Sequence, residues 1–153
     1  MSMADRVVCM NQGTIEQVGS PDELYLRPRT SFVANFVGQI NVVSQEGRPE
    51  LAGRKLTVKG DLPPGPVEVM VRPEHVELAP GSETLTDSLA ENSFPGVVVD
   101  CLFLGNVTRT RVQVGGVMLL VEQSGQVDWA EQQKVRVRLP PQALIAVSAQ
   151  GVS

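Results

Sequence analysis

The stretch Val107-Thr108-Arg109-Thr110-Arg111-Val112-Gln113-Val114-Gly115-Gly116-Val117-Met118-Leu119-Leu120-Val121-Glu122 reads as a β-hairpin. Two runs rich in β-branched residues flank a Gly-Gly pair, which suits a two-residue turn of the mirror-image types. The first run is apolar on one face and sets Arg109 and Arg111 on a shared face, because side chains two apart in a strand point the same way. The second run, Val117 to Val121, is apolar on both faces. One core absorbs only one of them. The other, Met118 and Leu120, needs a loop, a second barrel or a second subunit.

Working outward, the neighbours of this hairpin have the same character. Gly96 to Leu104 precedes it as a strand, and Gly105-Asn106 is a turn. Val135, Val137 and Leu139 alternate with Arg136 and Arg138 after it, the pattern of a strand with one wet face. Pro140-Pro141 stops that strand, and Ala143 to Val147 is a candidate closing strand. Earlier come Ile40 to Val43, Lys55 to Lys59, Val67 to Val71 and Val76 to Leu78, punctuated by Pro63-Pro64-Gly65-Pro66 and Pro80-Gly81. Ser82 to Ser93 is polar and acidic and reads as a linker or a loose helical turn. Many short strands with Gly and Pro between them predict a mainly β protein, a small barrel or sandwich. The two strand clusters form either one interwoven barrel or two packed units.

The N-terminal part is different. Asp5 to Met10 and Thr14 to Val18 are two short strands around Asn11-Gln12-Gly13. Ser20-Pro21-Asp22-Glu23 is a helix start: Ser20 caps, Pro21 takes the first position and Glu23 completes a capping box. Thr30 caps a second short helix with Phe32, Val33, Phe36 and Val37 on its apolar face, ending by Gly38. One hairpin and two short helices bury little core by themselves. Residues 1–37 are therefore expected to be the edge of another domain, mobile or docked on another copy, and 38–153 to be the β domain.

Thirteen Lys and Arg against seventeen Asp and Glu give a net charge of -4. Nucleic acid is excluded as a main partner, since phosphate binding needs surplus basic charge and single-strand binding needs stacking aromatics, here only 4% of residues. Cys9 and Cys101 lie in apolar runs and read as buried free thiols. With one histidine, His75, they give no metal-ligand spacing. No apolar run reaches the roughly 18 residues of a membrane span. A cytoplasmic chain is expected. Asn106-Val107-Thr108 matches a glycosylation sequon, without meaning in that setting.

Several motifs carry a resemblance. Met3-Ala4-Asp5-Arg6-Val7-Val8-Cys9-Met10-Asn11-Gln12-Gly13-Thr14-Ile15-Glu16-Gln17-Val18-Gly19-Ser20-Pro21-Asp22-Glu23-Leu24-Tyr25 resembles the last strands of the nucleotide-binding domain of importer-type ABC ATPases. Pro28, Thr30, Phe32-Val33-Ala34 and Phe36-Val37-Gly38 are similar to that family's linker. Val71-Arg72-Pro73-Glu74-His75-Val76 resembles the "RPEH" element of its C-terminal TOBE domain. Gly96-Val97-Val98, Phe103-Leu104-Gly105 and Thr108-Arg109 resemble the second TOBE segment of the polyamine and ferric-iron importer subgroup.

The resemblance implies an OB-like (TOBE) barrel acting as a regulatory and dimerisation domain of an importer ATPase. Its implied partners are a second copy of itself, the ATPase core, membrane permease subunits and a small-molecule regulator. Its implied location is the cytoplasmic face of the inner membrane, reached through the transporter. The phosphate-cradling G-x-x-x-x-G-K-[ST] loop, the Walker B acid, the family signature and the switch histidine are not in this sequence. Ser124-Gly125-Gln126 lacks the Leu-Ser that opens the signature. The chain is thus expected to hold no cofactor and to hydrolyse no ATP, with ATP and Mg belonging to the parent subunit. Two other readings stand beside this one: a sensor barrel that binds the transported solute, and a freestanding oligonucleotide-binding OB domain. Molybdate-binding modules of related domains carry a Ser-Ala-Arg-Asn element. Here Ser93-Phe94-Pro95-Gly96 stands instead, against oxyanion storage.

Two groups of residues are candidate ligand or partner contacts. Arg72, Glu74 and His75 surround Pro73, either as a contact or as a structural turn whose charges pair with neighbours. Arg109, Arg111, Arg136 and Arg138 make an anion site if their two strands are adjacent. Otherwise they form a solvated face laced to Glu122, Asp128 and Glu131. Met118 and Leu120 are candidate dimer contacts, and Trp129 is either an interface anchor or a lid over the core.

Overall fold

The structure is a computed structural model that describes residues 6–44, 47–81 and 91–149. It opens with an antiparallel hairpin, β1 (Val7–Asn11) and β2 (Thr14–Gly19). Gln12 and Gly13 turn it with φ of 51° and 80°, the left-handed pair that a two-residue turn requires. Helices α1 (Pro21–Leu26) and α2 (Ser31–Phe36) follow. The capping box forms as expected: Ser20 Oγ accepts from Glu23 N–H, and Glu23 Oε1 accepts from Ser20 N–H. Thr30 caps α2 through Val33 N–H.

The β domain comprises β3 (Asn41–Val42), β4 (Glu50–Leu51), β5 (Arg54–Lys55), β6 (Val67–Val71), β7 (Glu77–Pro80), β8 (Ser93–Phe103), β9 (Val107–Val114), β10 (Val117–Ser124), β11 (Lys134–Arg138) and β12 (Ile145–Ser148). A 3-10 turn, Pro73–His75, joins β6 to β7, and a second, Pro141–Ala143, precedes β12. A curled five-stranded half-barrel runs in the order β10-β9-β8-β11-β7. A three-stranded sheet runs β12-β6-β3, and β4-β5 is a small ribbon. The architecture is mainly β and OB-like, as the sequence leads one to expect.

The two strand clusters form one interwoven unit. β7, from the first, pairs with β11 of the second, and β12, from the second, pairs with β6 of the first. One core receives both: Val67, Val69 and Val71 of β6 pack with Val112, Leu119, Val121, Val135 and Val137. Trp129 packs against this core as a lid, its indole N–H donating to Gln123 Oε1 at 2.9 Å. β6 is buried on its other face too, where Met70 meets Ala34 of α2 and Val147. The first cluster departs from expectation in detail. Lys55 to Lys59 yields only β5, and β4 carries no strand-like run. β8 begins at Ser93, three residues before the strand read from the sequence. The linker reading of 82–90 lies outside the described residues.

The N-terminal unit has a small cluster of its own, Cys9, Leu24 and Val33 with Val7, Phe32 and Val37. Arg72 of the β domain reaches into it and donates to its carbonyls. The opposite face of the hairpin remains exposed at Val8, Met10 and Ile15.

Candidate functional site

Arg72 follows β6 at the start of the 3-10 turn and is 1% exposed. Its guanidinium reaches into the N-terminal unit. Nη1 donates to Ala34 O at 3.0 Å and to Gln39 O at 3.1 Å, and Nη2 donates to Tyr25 O at 2.8 Å. The group also lies over the Tyr25 ring, 4.1 Å from its centre, a cation–π stack. Gly38 makes room for the stack: a Cβ there would sit 3.2 Å from the Tyr25 ring. The helix-end and loop carbonyls that Arg72 collects need donors, because buried C=O groups without partners are costly. Burial pulls the guanidinium pKa down, and Tyr25 and Glu74 push it back up. Arg72 is thus a buried clasp on backbone carbonyls, and Glu74 pairs with the Tyr25 hydroxyl beside it.

Glu74 is exposed and accepts from the Tyr25 hydroxyl. That contact and burial hold the phenol proton tightly: Tyr25 is pushed up to about 12, by burial first and then by Glu74. His75 is half-buried in the same turn. The Pro73–His75 turn also lies against β10. Tyr25 was not legible as the partner, since nothing in spacing links positions 25 and 72.

The four arginines do not converge. β8 lies between β9 and β11, so Arg109 and Arg111 sit two strands away from Arg136 and Arg138. All four point outward from the sheet, because Val135, Val137 and Val112 take the inward positions. Three have cross-strand carboxylates: Arg109 with Glu122 at 3.2 Å, Arg138 with Glu77 at 3.0 Å, and Arg111 with Asp100. Glu122 was among the expected partners, whereas Asp128 and Glu131 were not used. The Arg111 guanidinium holds the Asp100 carboxyl below the usual carboxylate range. Arg136 has no ion pair or hydrogen bond among the described residues, and its Nε is buried without a partner.

Met118 is 43% exposed. Leu120 is half-buried, and its backbone is held by Asn41: Asn41 Nδ2 donates to Leu120 O at 2.8 Å and Oδ1 accepts from Leu120 N–H at 2.9 Å. Asn41 of β3, in the same chain, therefore occupies the free backbone edge of β10 at Leu120. Cys9 is buried and Cys101 half-buried, both free. Among the described residues no group of three or more His, Cys, Asp and Glu gathers, and no helix is long and apolar enough to cross a membrane.

Comparison with known proteins accords with this geometry. The model of the TOBE domain matches residues 69–147, just over half of the chain, from β6 into β12. The spermidine/putrescine import ATP-binding protein PotA of Nostoc sp. is 34% identical over 129 residues, 74% of this chain and 32% of that protein. The protein of the same name from Acetivibrio thermocellus is 36% identical over 122 residues, 76% and 32%. The sulfate/thiosulfate import ATP-binding protein CysA of Brucella melitensis is 31% identical over 145 residues, 92% and 38%. The chain spans about a third of the length of these relatives. A half-barrel whose every central strand falls inside the matched span, and relatives that are import ATP-binding proteins, lead to one assignment: the chain belongs to the TOBE domain family.

Proposed function

We propose that this chain is the regulatory and dimerisation part of the ATP-binding subunit of an importer for a small solute, of the polyamine or ferric-iron kind. The relatives' names cover organic cations and inorganic anions, and what they share is the role of import ATP-binding protein. The observation that carries the reading is the Arg72 clasp. The N-terminal unit resembles the last strands of the ATPase domain, and Arg72 fixes it to the β domain through three carbonyl contacts, one buried and two partly buried. A shift of the β domain then moves that edge as one body, which is how a regulatory barrel biases closure of an ATPase pair. ATP and Mg act in the ATPase core. This chain supplies position, not chemistry. Its partners are the core, the permease at the cytoplasmic face of the membrane, and a second copy met through exposed side chains such as Met118.

The test is a chimera in which this sequence replaces the C-terminal third of the Nostoc import ATP-binding protein, assembled with that protein's permease in vesicles. Solute-stimulated ATP hydrolysis is expected to persist. Arg72→Ala in the chimera should leave nucleotide binding intact and cut the stimulation severalfold. A folded chimera whose stimulation ignores Arg72→Ala would overturn the clasp as a coupling element.

A further inference from the structure

The outer face of the five-stranded sheet can be read as cross-strand rows from the register. Glu77 lies beside Arg138, Asp100 beside Arg111, and Glu122 beside Arg109. Each of these rows is neutral. Between them runs a row of different make-up: Lys134 opposite Val97, and Val97 opposite Gln113. Arg136 stands next to it, opposite Pro95. No carboxylate among the described residues pairs with Lys134 or Arg136. A cavity of about 510 Å³ opens here, lined by Pro95, Gly96, Val97, Gln113, Lys134 and Arg136.

Unlike Arg138, whose Nη1 is taken by Glu77, the Arg136 guanidinium has no acceptor among the described residues and lines this cavity, which leaves its fork free for an anion. The whole chain carries a charge of -4, so its general field repels anions and any anion held here is held locally. Lys134 and Arg136 are two residues apart on one strand, so their stems rise roughly 6.6 Å apart. Pro95 and Val97 supply an apolar floor beside them. Two separated cations over an apolar floor match an anion with two heads and a short apolar middle.

We propose that this cavity binds a small dicarboxylate, one carboxylate on the Arg136 fork and the other on Lys134. The proposal does not rest on the importer reading, since binding is measured on the chain alone. A cationic solute such as a polyamine is repelled by the same two residues, so this site is distinct in kind from one that senses such a solute.

The experiment is an NMR titration of the full chain with succinate and glutarate, compared with butyrate, inorganic phosphate and spermidine. The dicarboxylates should move the amide signals of Val97, Gln113 and Lys134 saturably, and about tenfold more tightly than butyrate, the equivalent of one charge-assisted contact. Spermidine should leave these signals in place. Arg136→Gln should weaken dicarboxylate binding about tenfold. Arg109→Gln, on the same face but already matched by Glu122, should leave it unchanged. Should Arg136→Gln fail to fold, Lys134→Gln carries the test, because Lys134 is exposed. No saturable dicarboxylate binding, or an equal loss in Arg109→Gln, overturns the site. Phosphate binding more tightly than either dicarboxylate overturns the two-headed ligand.

Discussion

Arginine does opposite work in two regions of this molecule. At the seam between the N-terminal unit and the β domain, Arg72 is almost fully buried and its acceptors are three backbone carbonyls. On the outer sheet face, Arg109 and Arg111 are about half-exposed and face carboxylates across the strands. The surface pairs have formal charge complementarity and little energy, since water and salt screen them. The seam has no direct carboxylate, yet removing the cation there takes the donor from three carbonyls, one of them fully buried. Burial and count of acceptors, more than opposite charge, decide what an arginine contributes.

The largest expected effect is therefore at the seam. Arg72→Ala should destabilise the chain by about 3 kcal/mol, in the range for breaking a buried polar network. Calorimetry should register this as a fall in Tm of roughly 10 °C for a domain of this size. Arg72→Lys keeps the charge and loses the fork, and should recover less than half. A loss under 1 kcal/mol in Arg72→Ala would erase the contrast with the outer face.

A buried neutral group tests whether burial alone suffices. Asn92 is 4% exposed with φ of 53°. Its Nδ2 donates to Thr57 O and Leu139 O, and its Oδ1 accepts from Thr57 N–H. Asn92→Ala should cost about 2 kcal/mol in urea unfolding, from lost bonds and a left-handed backbone that alanine resists. Asn92→Gly, which relieves the backbone, should cost less. Equal losses would assign the whole effect to the amide.

Tyr25 sharpens the seam by pH. Its phenol is pushed up to about 12 in the folded chain, against about 10 in an unfolded one. Below about pH 10 both states keep the proton and stability is flat. Between about 10 and 12 the unfolded chain releases it first, so stability falls as pH rises. Tyr25 is the sole tyrosine, so phenolate absorbance reads it directly. Tyr25→Phe should remove this alkaline slope and cost about 1 kcal/mol at neutral pH. A phenol titrating near 10 would mean that its contact with Glu74 is not kept in solution.

The smallest effect belongs to the surface. A double-mutant cycle on Arg109 and Glu122 should give a coupling of about 0.5 kcal/mol that shrinks in high salt. A coupling above 2 kcal/mol would make the outer face comparable to the seam and dissolve the distinction.

What could be read from the sequence was local. The Gly115-Gly116 hairpin, the Ser20–Glu23 box and the alternation at Val135, Val137 and Leu139 depend on neighbours a few residues apart, and they stand in the structure as expected. Strand order was not legible, because pairing joins residues far apart in sequence. That is why two arginine pairs on separate strands looked able to converge, when β8 divides them. Pro95 hid the start of β8. It pairs with Arg136 before β9 joins the sheet, where the strand has a single neighbour and tolerates a proline. Arg72 stood out in the sequence, but its partners were hidden for another reason: they are main-chain carbonyls, which every residue carries and no sequence advertises.

Asn41 has a consequence for solution behaviour. β10 is the outer strand of its sheet, and such strands are templates on which a foreign strand can add. By taking both the N–H and the C=O of Leu120, the Asn41 amide impersonates one residue of that missing strand and leaves the template interrupted at its middle. A strand of a second copy approaching along β10 therefore meets a blocked position at Leu120. Asn41→Leu removes the plug, and the expected result is slow, concentration-dependent growth of β-rich aggregates rather than a tighter dimer.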